Sequence, residues 1–255
     1  GRQRPLGIAA VEDKIVQRAV VAVLNAVYED EFVGFSYGFR PKRSQHDALD
    51  GLIVGIERKR VNWVLDIDIR DFFGTVDHDW LMRFIKHRIG DQRVLRLVGK
   101  WLTAGVLEAG VHTVPEEGTP QGATVSPLLG NIYLHYVMDL WVQQWRRRHA
   151  TGDMIVVRYA DDGVFGFEHE ADAKRFLQDL RTRLAEFSLT LHPDKTKLIE
   201  FGRHAATRRK RRGDTKPETF TFLGFTMICG RDSRGRFLLH RKTRRDRRDA
   251  RPHKG

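Results

Sequence analysis

Residues 154–167 read Met154-Ile-Val-Val-Arg-Tyr159-Ala-Asp161-Asp162-Gly163-Val164-Phe-Gly-Phe167. Two apolar runs, Met154–Tyr159 and Val164–Phe167, flank four residues of turn chemistry, which is a hairpin signal. Taken alone, Asp162-Gly163 suits an ordinary hairpin tip. A second stretch adds weight. In Trp63-Val-Leu-Asp66-Ile-Asp68-Ile69, Leu65, Ile67 and Ile69 fall on one strand face, and Val64, Asp66 and Asp68 on the other. Such acids also suit a face turned to water. Together, however, a strand Asp and hairpin-tip Asp residues present carboxylates from rigid elements. Two hard cations about 3.5–4 Å apart need carboxylates that bridge them and open positions for phosphate oxygens. In-line phosphoryl transfer needs little beyond positioning and charge. Asp68, Asp161 and Asp162 are therefore the candidate metal ligands and catalytic residues.

Outward from these stretches, Ile15, Val16, Ala19, Val20, Val23, Leu24 and Val27 recur at helical spacing. Residues 32–43, rich in Gly and aromatics, read as a loop. Ser44 and Asp47 form a capping-box pattern ahead of Leu49, Leu52, Ile53 and Ile56. Helical patterns cover about 78–104 and 124–147. Phe176, Leu177, Leu180, Leu184 and Phe187 mark another helix. Short strands are expected at Leu189–Leu191 and Leu198–Phe201, and a strand or hairpin at Phe220–Ile228. Strands arriving in pairs among helices predict an α+β fold.

The 255 residues are 41% hydrophobic and 31% charged, an ordinary soluble mixture. No apolar run approaches the roughly 18 residues that span a bilayer. No basic-then-apolar leader opens the chain, and one cysteine, Cys229, excludes a disulfide framework. The expectation is a cytoplasmic protein, of a bacterial-type cytosol or nucleoid, with no membrane partner. The net charge of +12 points to a polyanion. From Arg203 onward, 18 Lys and Arg stand against 5 Asp and Glu, so the excess is C-terminal. Within it, Arg208-Arg209-Lys210-Arg211-Arg212 lacks apolar periodicity and reads as a surface loop. Five adjacent cations repel one another, and an RNA backbone would compensate them; a solvated loop is the plain alternative.

The ordered motifs resemble the reverse transcriptases of the group II intron type, an intron-encoded protein and maturase family. Arg4-Pro-Leu-Gly-Ile8 resembles a fingers motif, and Ser36-Tyr-Gly-Phe-Arg-Pro41 the next block. Asp66-Ile-Asp68-Ile-Arg-Asp-Phe-Phe73 through Val76-Asp77-His78 resembles palm motif A. Gly118-Thr-Pro-Gln121-Gly122 through Ser126-Pro127 and Gly130-Asn131 resembles motif B. Tyr159-Ala-Asp161-Asp162 resembles motif C, and Leu191-His-Pro-Asp-Lys195-Thr-Lys197 motif D. Phe222-Leu223-Gly224-Phe225 resembles motif E, the primer grip.

The resemblance implies an α+β right-hand polymerase, its antiparallel palm sheet packed on helices. Residues 1–62 would be partial fingers, 63–228 palm, and 229–255 a truncated basic tail leading to a missing thumb. It implies an RNA-directed DNA polymerase with two Mg²⁺ ions held by Asp68, Asp161 and Asp162; Asp66 lacks a catalytic role in the family pattern. Arg4, Phe73, Gln121 and Lys195 would bind the nucleotide, with Phe73 as the gate under the sugar and Lys195 beside the leaving pyrophosphate. The implied partners are an RNA template (intron RNA among them), a DNA primer or target, and dNTP; oligomeric state is left open. The start without Met and the end soon after motif E are expected to mark a fragment. The alternative is a splicing maturase without polymerase activity. The bulky Phe73 and the YADD signature argue against an RNA polymerase.

Overall fold

The computed structural model describes residues 10–104, 106–108, 111–113, 117–119, 123–214 and 216–243. Along them run α1 (Val11–Tyr28), α2 (Gln45–Arg58), β1 (Trp63–Ile67), a 3₁₀ turn (Phe72–Gly74), α3 (His78–Arg88) and α4 (Gln92–Leu102). A small hairpin follows, β2 (Val106–Glu108) with β3 (Val111–Thr113), then α5 (Ser126–Leu134) and α6 (Leu140–Arg148). After these come β4 (Met154–Tyr159), β5 (Asp162–Phe167), α7 (Glu170–Ala185), β6 (Lys197–Glu200) and α8 (Ala205–Arg212). The last elements are β7 (Phe220–Phe222), β8 (Phe225–Arg231) and β9 (Phe237–Thr243).

The strand that alternates most clearly is the one the sheet is built around. β1 lies between β5 and β6, with β4 outside β5, and all neighbours are antiparallel. Leu65, Ile67 and Ile69 enter the larger core with Met154, Val156, Phe165, Phe176 and the α5 residues Leu129 and Ile132. Val64 faces a second core of Ile155, Val157, Val164 and Ile199, closed by Leu49, Leu52 and Ile56 of α2. Phe220, Phe222, Met227 and Leu239 of the sheet β7-β8-β9 complete it. Each fully buried side chain of this size contributes about 1.5–3 kcal/mol, so both faces hold the sheet. Past Val64 the same strand face carries Asp66 and Asp68, both partly buried.

The α2 capping box forms as expected: Asp47 N–H donates to Ser44 Oγ at 3.2 Å, and Ser44 N–H to Asp47 Oδ2 at 2.7 Å. Elsewhere the structure corrects the sequence reading. On α1 the buried residues are Gln17, Leu24 and Tyr28, while Val11, Ile15 and Val23 are exposed. Gln17 is buried because its Oε1 accepts the Thr124 N–H at 2.9 Å, which turns the helix away from its most apolar stripe. Leu189–Leu191 is not a strand; only Leu191 bridges Ile69. Residues 229–243, expected as tail, form the end of β8 and β9, which docks on α2 through Arg241–Asp50 at 2.9 Å. The cluster 208–212 is not a loop but most of α8. Its cations find carboxylates: Arg208 and Arg212 pair with the buried Glu200, Arg209 with Glu218 at 3.1 Å. Protein carboxylates thus supply much of the charge compensation for this cluster.

The helix expected over 124–147 is one rod interrupted by a π-helical segment, His135–Asp139, between α5 and α6. His135 is buried there against Phe32 and Tyr136, and its Nδ1 has no hydrogen-bond partner among the described residues. Burial holds its pKa below 6.5, ahead of smaller effects from Asp139, Arg158, Glu31 and Arg40. The fold therefore keeps His135 neutral while the unfolded chain takes a proton near pH 6.5. This contribution is fully present above that pH and is lost as pH falls below it. His135→Phe is expected to gain in melting temperature over wild type between pH 7 and 5.5. Parallel curves of melting temperature against pH would contradict this.

Candidate active site

The β1–β5 register pairs Ile67 with Gly163; one step further brings Asp68 level with Asp162. The hairpin closes two residues earlier than Asp162-Gly163 suggests. Tyr159 pairs with Asp162, so Ala160 and Asp161 are the two turn residues. Ala160 has φ +55°, and Asp161 is not left-handed, the pattern of a type II′ turn with a non-glycine in the glycine position. Asp162 is thus the first residue of β5 and Asp161 the tip.

A third segment arrives after α7. Arg70 N–H donates to the Thr190 carbonyl and His192 N–H to the Asp68 carbonyl, each at 2.8 Å. The turn that follows carries Lys195 to Asp68, Nζ to Oδ2 at 3.0 Å. The 3₁₀ turn places Phe73 on the neighbouring wall. Its carbonyl accepts the Thr119 N–H at 2.7 Å, tying this wall to the motif B loop. Gly118 is required there: its φ is +90°, and a Cβ would lie 2.7 Å from the Phe73 oxygen.

These elements enclose an open cavity of about 910 Å³ lined by Asp66, Asp68, Asp161, Asp162, Phe73 and Lys195, with Phe39, Leu223 and Gly224 at its walls. Leu223 and Gly224 form the tight turn between β7 and β8, both at positive φ. Phe222 faces the second core instead, and Phe225 lies beside His46. Arg4 and Gln121 lie outside the described residues. The 208–212 cluster sits on α8, away from the cavity lining.

The carboxylates sense one another. Asp162 keeps an exposed edge, yet desolvation inside the cavity raises its carboxyl to about 6, helped by Asp161 and Asp68 and eased by Lys195. Asp66 is raised to about 7 by burial, then by Asp162 and Asp68. Asp66, which has no catalytic role in the family pattern, shares the strand face of Asp68 and belongs to the same charged group. Crowded acids of this kind fit a divalent cation, because hard oxygen donors with unbalanced negative charge are what such ions take. Among the described residues no three acid, imidazole or thiol groups are gathered as a ready metal cage. Lys195 supplies positive charge at Asp68 instead.

The same fold occurs in apo telomerase from Candida tropicalis, truncated from its C-terminal domain, with TM-score 0.63 and 14% identity over 89% of this chain and 45% of that one. Telomerase from Candida albicans, in complex with a fragment of telomeric RNA, gives TM-score 0.57 and 13% identity over 84% and 36%. The architecture is therefore the α+β fingers and palm of a right-hand polymerase. In sequence, residues 1–227 match the family model described as reverse transcriptase (RNA-dependent DNA polymerase). The chain belongs to that family. The Escherichia coli K12 protein YkfC is 34% identical over 257 residues, covering 85% of this chain and 66% of that protein. The group II intron-encoded protein LtrA of Lactococcus lactis is 40% identical over 147 residues, covering 58% and 24%. This chain thus spans less than two thirds of the length of either relative. The family's chemistry uses divalent metal ions.

Proposed function

We propose that this chain carries the polymerase site of a group II intron-encoded protein, copying an RNA template into DNA by adding dNTP to a primer 3′-hydroxyl. The observation that carries the reading is the meeting of Asp68, Asp161 and Asp162 with Phe73 in one open cavity. Asp68, Asp161 and Asp162 would hold two Mg²⁺ ions, with Asp66 adding negative charge behind them. Bound there, the ions supply the charge that activates the 3′-hydroxyl and steadies the leaving pyrophosphate. The chain's own groups do the rest. Phe73 presents a ring to the sugar. Lys195, held at Asp68, is placed to exchange that carboxylate for a phosphate oxygen. Leu223 and Gly224 line the same cavity, where a primer strand would rest. Arg4 and Gln121 are proposed nucleotide contacts on the family pattern alone. The deciding experiment is primer extension by the purified chain on an RNA template with dNTPs and Mg²⁺. RNA binding without extension would favour the maturase alternative, splicing assistance to an intron RNA without DNA synthesis.

The RNA contact proposed for 208–212 narrows to its outward members. Replacing Arg208 or Arg212 strips a partner from the buried Glu200, so their loss would act through stability. Lys210 and Arg211 have no such partner among the described residues. Lys210→Ser with Arg211→Ser is expected to flatten the plot of log K against log[salt] for RNA by about 1.4–1.8. An unchanged slope would place the RNA path elsewhere.

A further inference from the structure

Behind the turn that carries Asp161, on the side away from the cavity, lies a fully buried guanidinium. Arg158 is 0% exposed, and so is its partner Asp139. Arg158 Nε and Nη2 donate to the two Asp139 oxygens at 2.7 and 2.6 Å. Nη2 also donates to Ser36 Oγ at 2.7 Å. Nη1 donates to Asn131 Oδ1 at 3.1 Å and to the Ala160 carbonyl at 2.7 Å. All five donors of the guanidinium are thus used. Asn131 continues the network, its Nδ2 donating to the Gly38 carbonyl at 2.6 Å.

The network converges on one peptide. Ala160 holds a left-handed φ that disfavours a side chain, and Arg158 grips the carbonyl of that same residue. From the other side, Arg158 N–H donates to the Phe35 carbonyl, and Tyr37 N–H to the Arg158 carbonyl, both at 2.8 Å. Gly38 then passes so close that a Cβ on it would lie 2.3 Å from the Ala160 nitrogen. The π segment shares in this arrangement. In a regular α-helix, Asn131 and Asp139 would sit roughly 80° apart around the axis. The wider π turn between them removes part of that offset, and both side chains reach Arg158.

A buried ion pair is weak evidence for stability, since an apolar pair of similar volume often does as well. This one has its fork aimed at the backbone of the catalytic turn. We infer that Arg158, braced by Asp139, Asn131 and Ser36, is a positioning residue. It fixes the plane of the Ala160–Asp161 peptide and thereby sets Asp161 and Asp162 opposite Asp68. The inference rests on the proposed polymerase reading for its effect on rate, but not for its effect on the turn.

The test uses the full chain and two variants. Arg158→Met with Asp139→Leu removes both buried charges together. Arg158→Lys keeps a charge for Asp139 but loses the fork, because an ammonium is a point donor. Hydrogen exchange is followed on peptides covering 158–163 and on peptides from α3 and α7, beside multiple-turnover primer extension at varied dNTP. The expected result is faster exchange at 158–163 alone. With it, kcat should fall roughly 10²-fold while KM for dNTP holds within about threefold, the signature of misplaced groups. If the double variant does not fold, Arg158→Lys decides by the same readouts. Wild-type exchange at the turn, exchange raised equally throughout the molecule, or wild-type kcat in a folded variant overturns the inference. A wild-type chain that extends no primer would sink the polymerase reading instead, and the exchange data would still decide the role of Arg158.

Discussion

Asp161→Ala is expected to slow primer extension by about 10³-fold or more while melting temperature and RNA affinity stay near wild type. The size follows from where charge develops. Attack by the 3′-hydroxyl and departure of pyrophosphate both build negative charge, and a carboxylate that positions cations is worth most in the transition state. The sparing of the fold follows from the turn. Asp161 sits at its tip, half-buried, and both hydrophobic cores lie elsewhere. Its removal also relieves one of the charges that raise the neighbouring Asp162. The comparison to make is single-turnover incorporation beside filter binding to template RNA. Extension at the wild-type rate would take the hairpin carboxylates out of the mechanism.

Phe73→Val is expected to lower the preference for dNTP over rNTP, as a ratio of kcat/KM, by roughly 10–200-fold, the range one small group commands in a tight pocket. The ring cannot retreat in the wild type. Phe72 packs beside it with ring centroids 5.1 Å apart, and at Gly130 a Cβ would lie 3.2 Å from its edge. It therefore confronts the cavity as a fixed wall, and a valine would leave room for a 2′-hydroxyl. Phe73 is only partly buried, so the change should cost less stability than truncating a core phenylalanine, typically about 3–5 kcal/mol. An unmoved ratio would make Phe73 a packing residue.

What the sequence made legible was local or periodic. The period-two pattern of β1 and the apolar runs of β4 and β5 needed no distant partner to be read, nor did the Ser44–Asp47 box. The failures share a non-local cause. The α8 helix has no apolar period because its order comes from Glu200 on β6 and Glu218. The β9 strand hides its one deeply buried residue, Leu239, among basic side chains that reach toward α2. Gln17 turned α1 through a single hydrogen bond to a loop more than a hundred residues away. The site divides the same way. Its carboxylates stood out as a pattern, whereas Arg158 is a single polar residue in an apolar strand and carries no local signal. Its meaning depends on Asp139, which a π segment in another element delivers.

The strand order also has a consequence for synthesis on the ribosome. β1 emerges early, yet its two neighbours are β5 and β6, and β6 ends only at Glu200. At about 5–20 residues per second, Asp68 waits several seconds for Asp161 and Asp162, and longer for Lys195. During that interval the nascent chain exposes an unpaired, strongly apolar strand and has no assembled carboxylate cluster. The carboxylate site can therefore assemble only after the β4–β5 hairpin and the segment that follows α7 have been made. The cost is a long-range closure late in folding, which makes this topology slow to fold and dependent on protection of β1 until its partners exist.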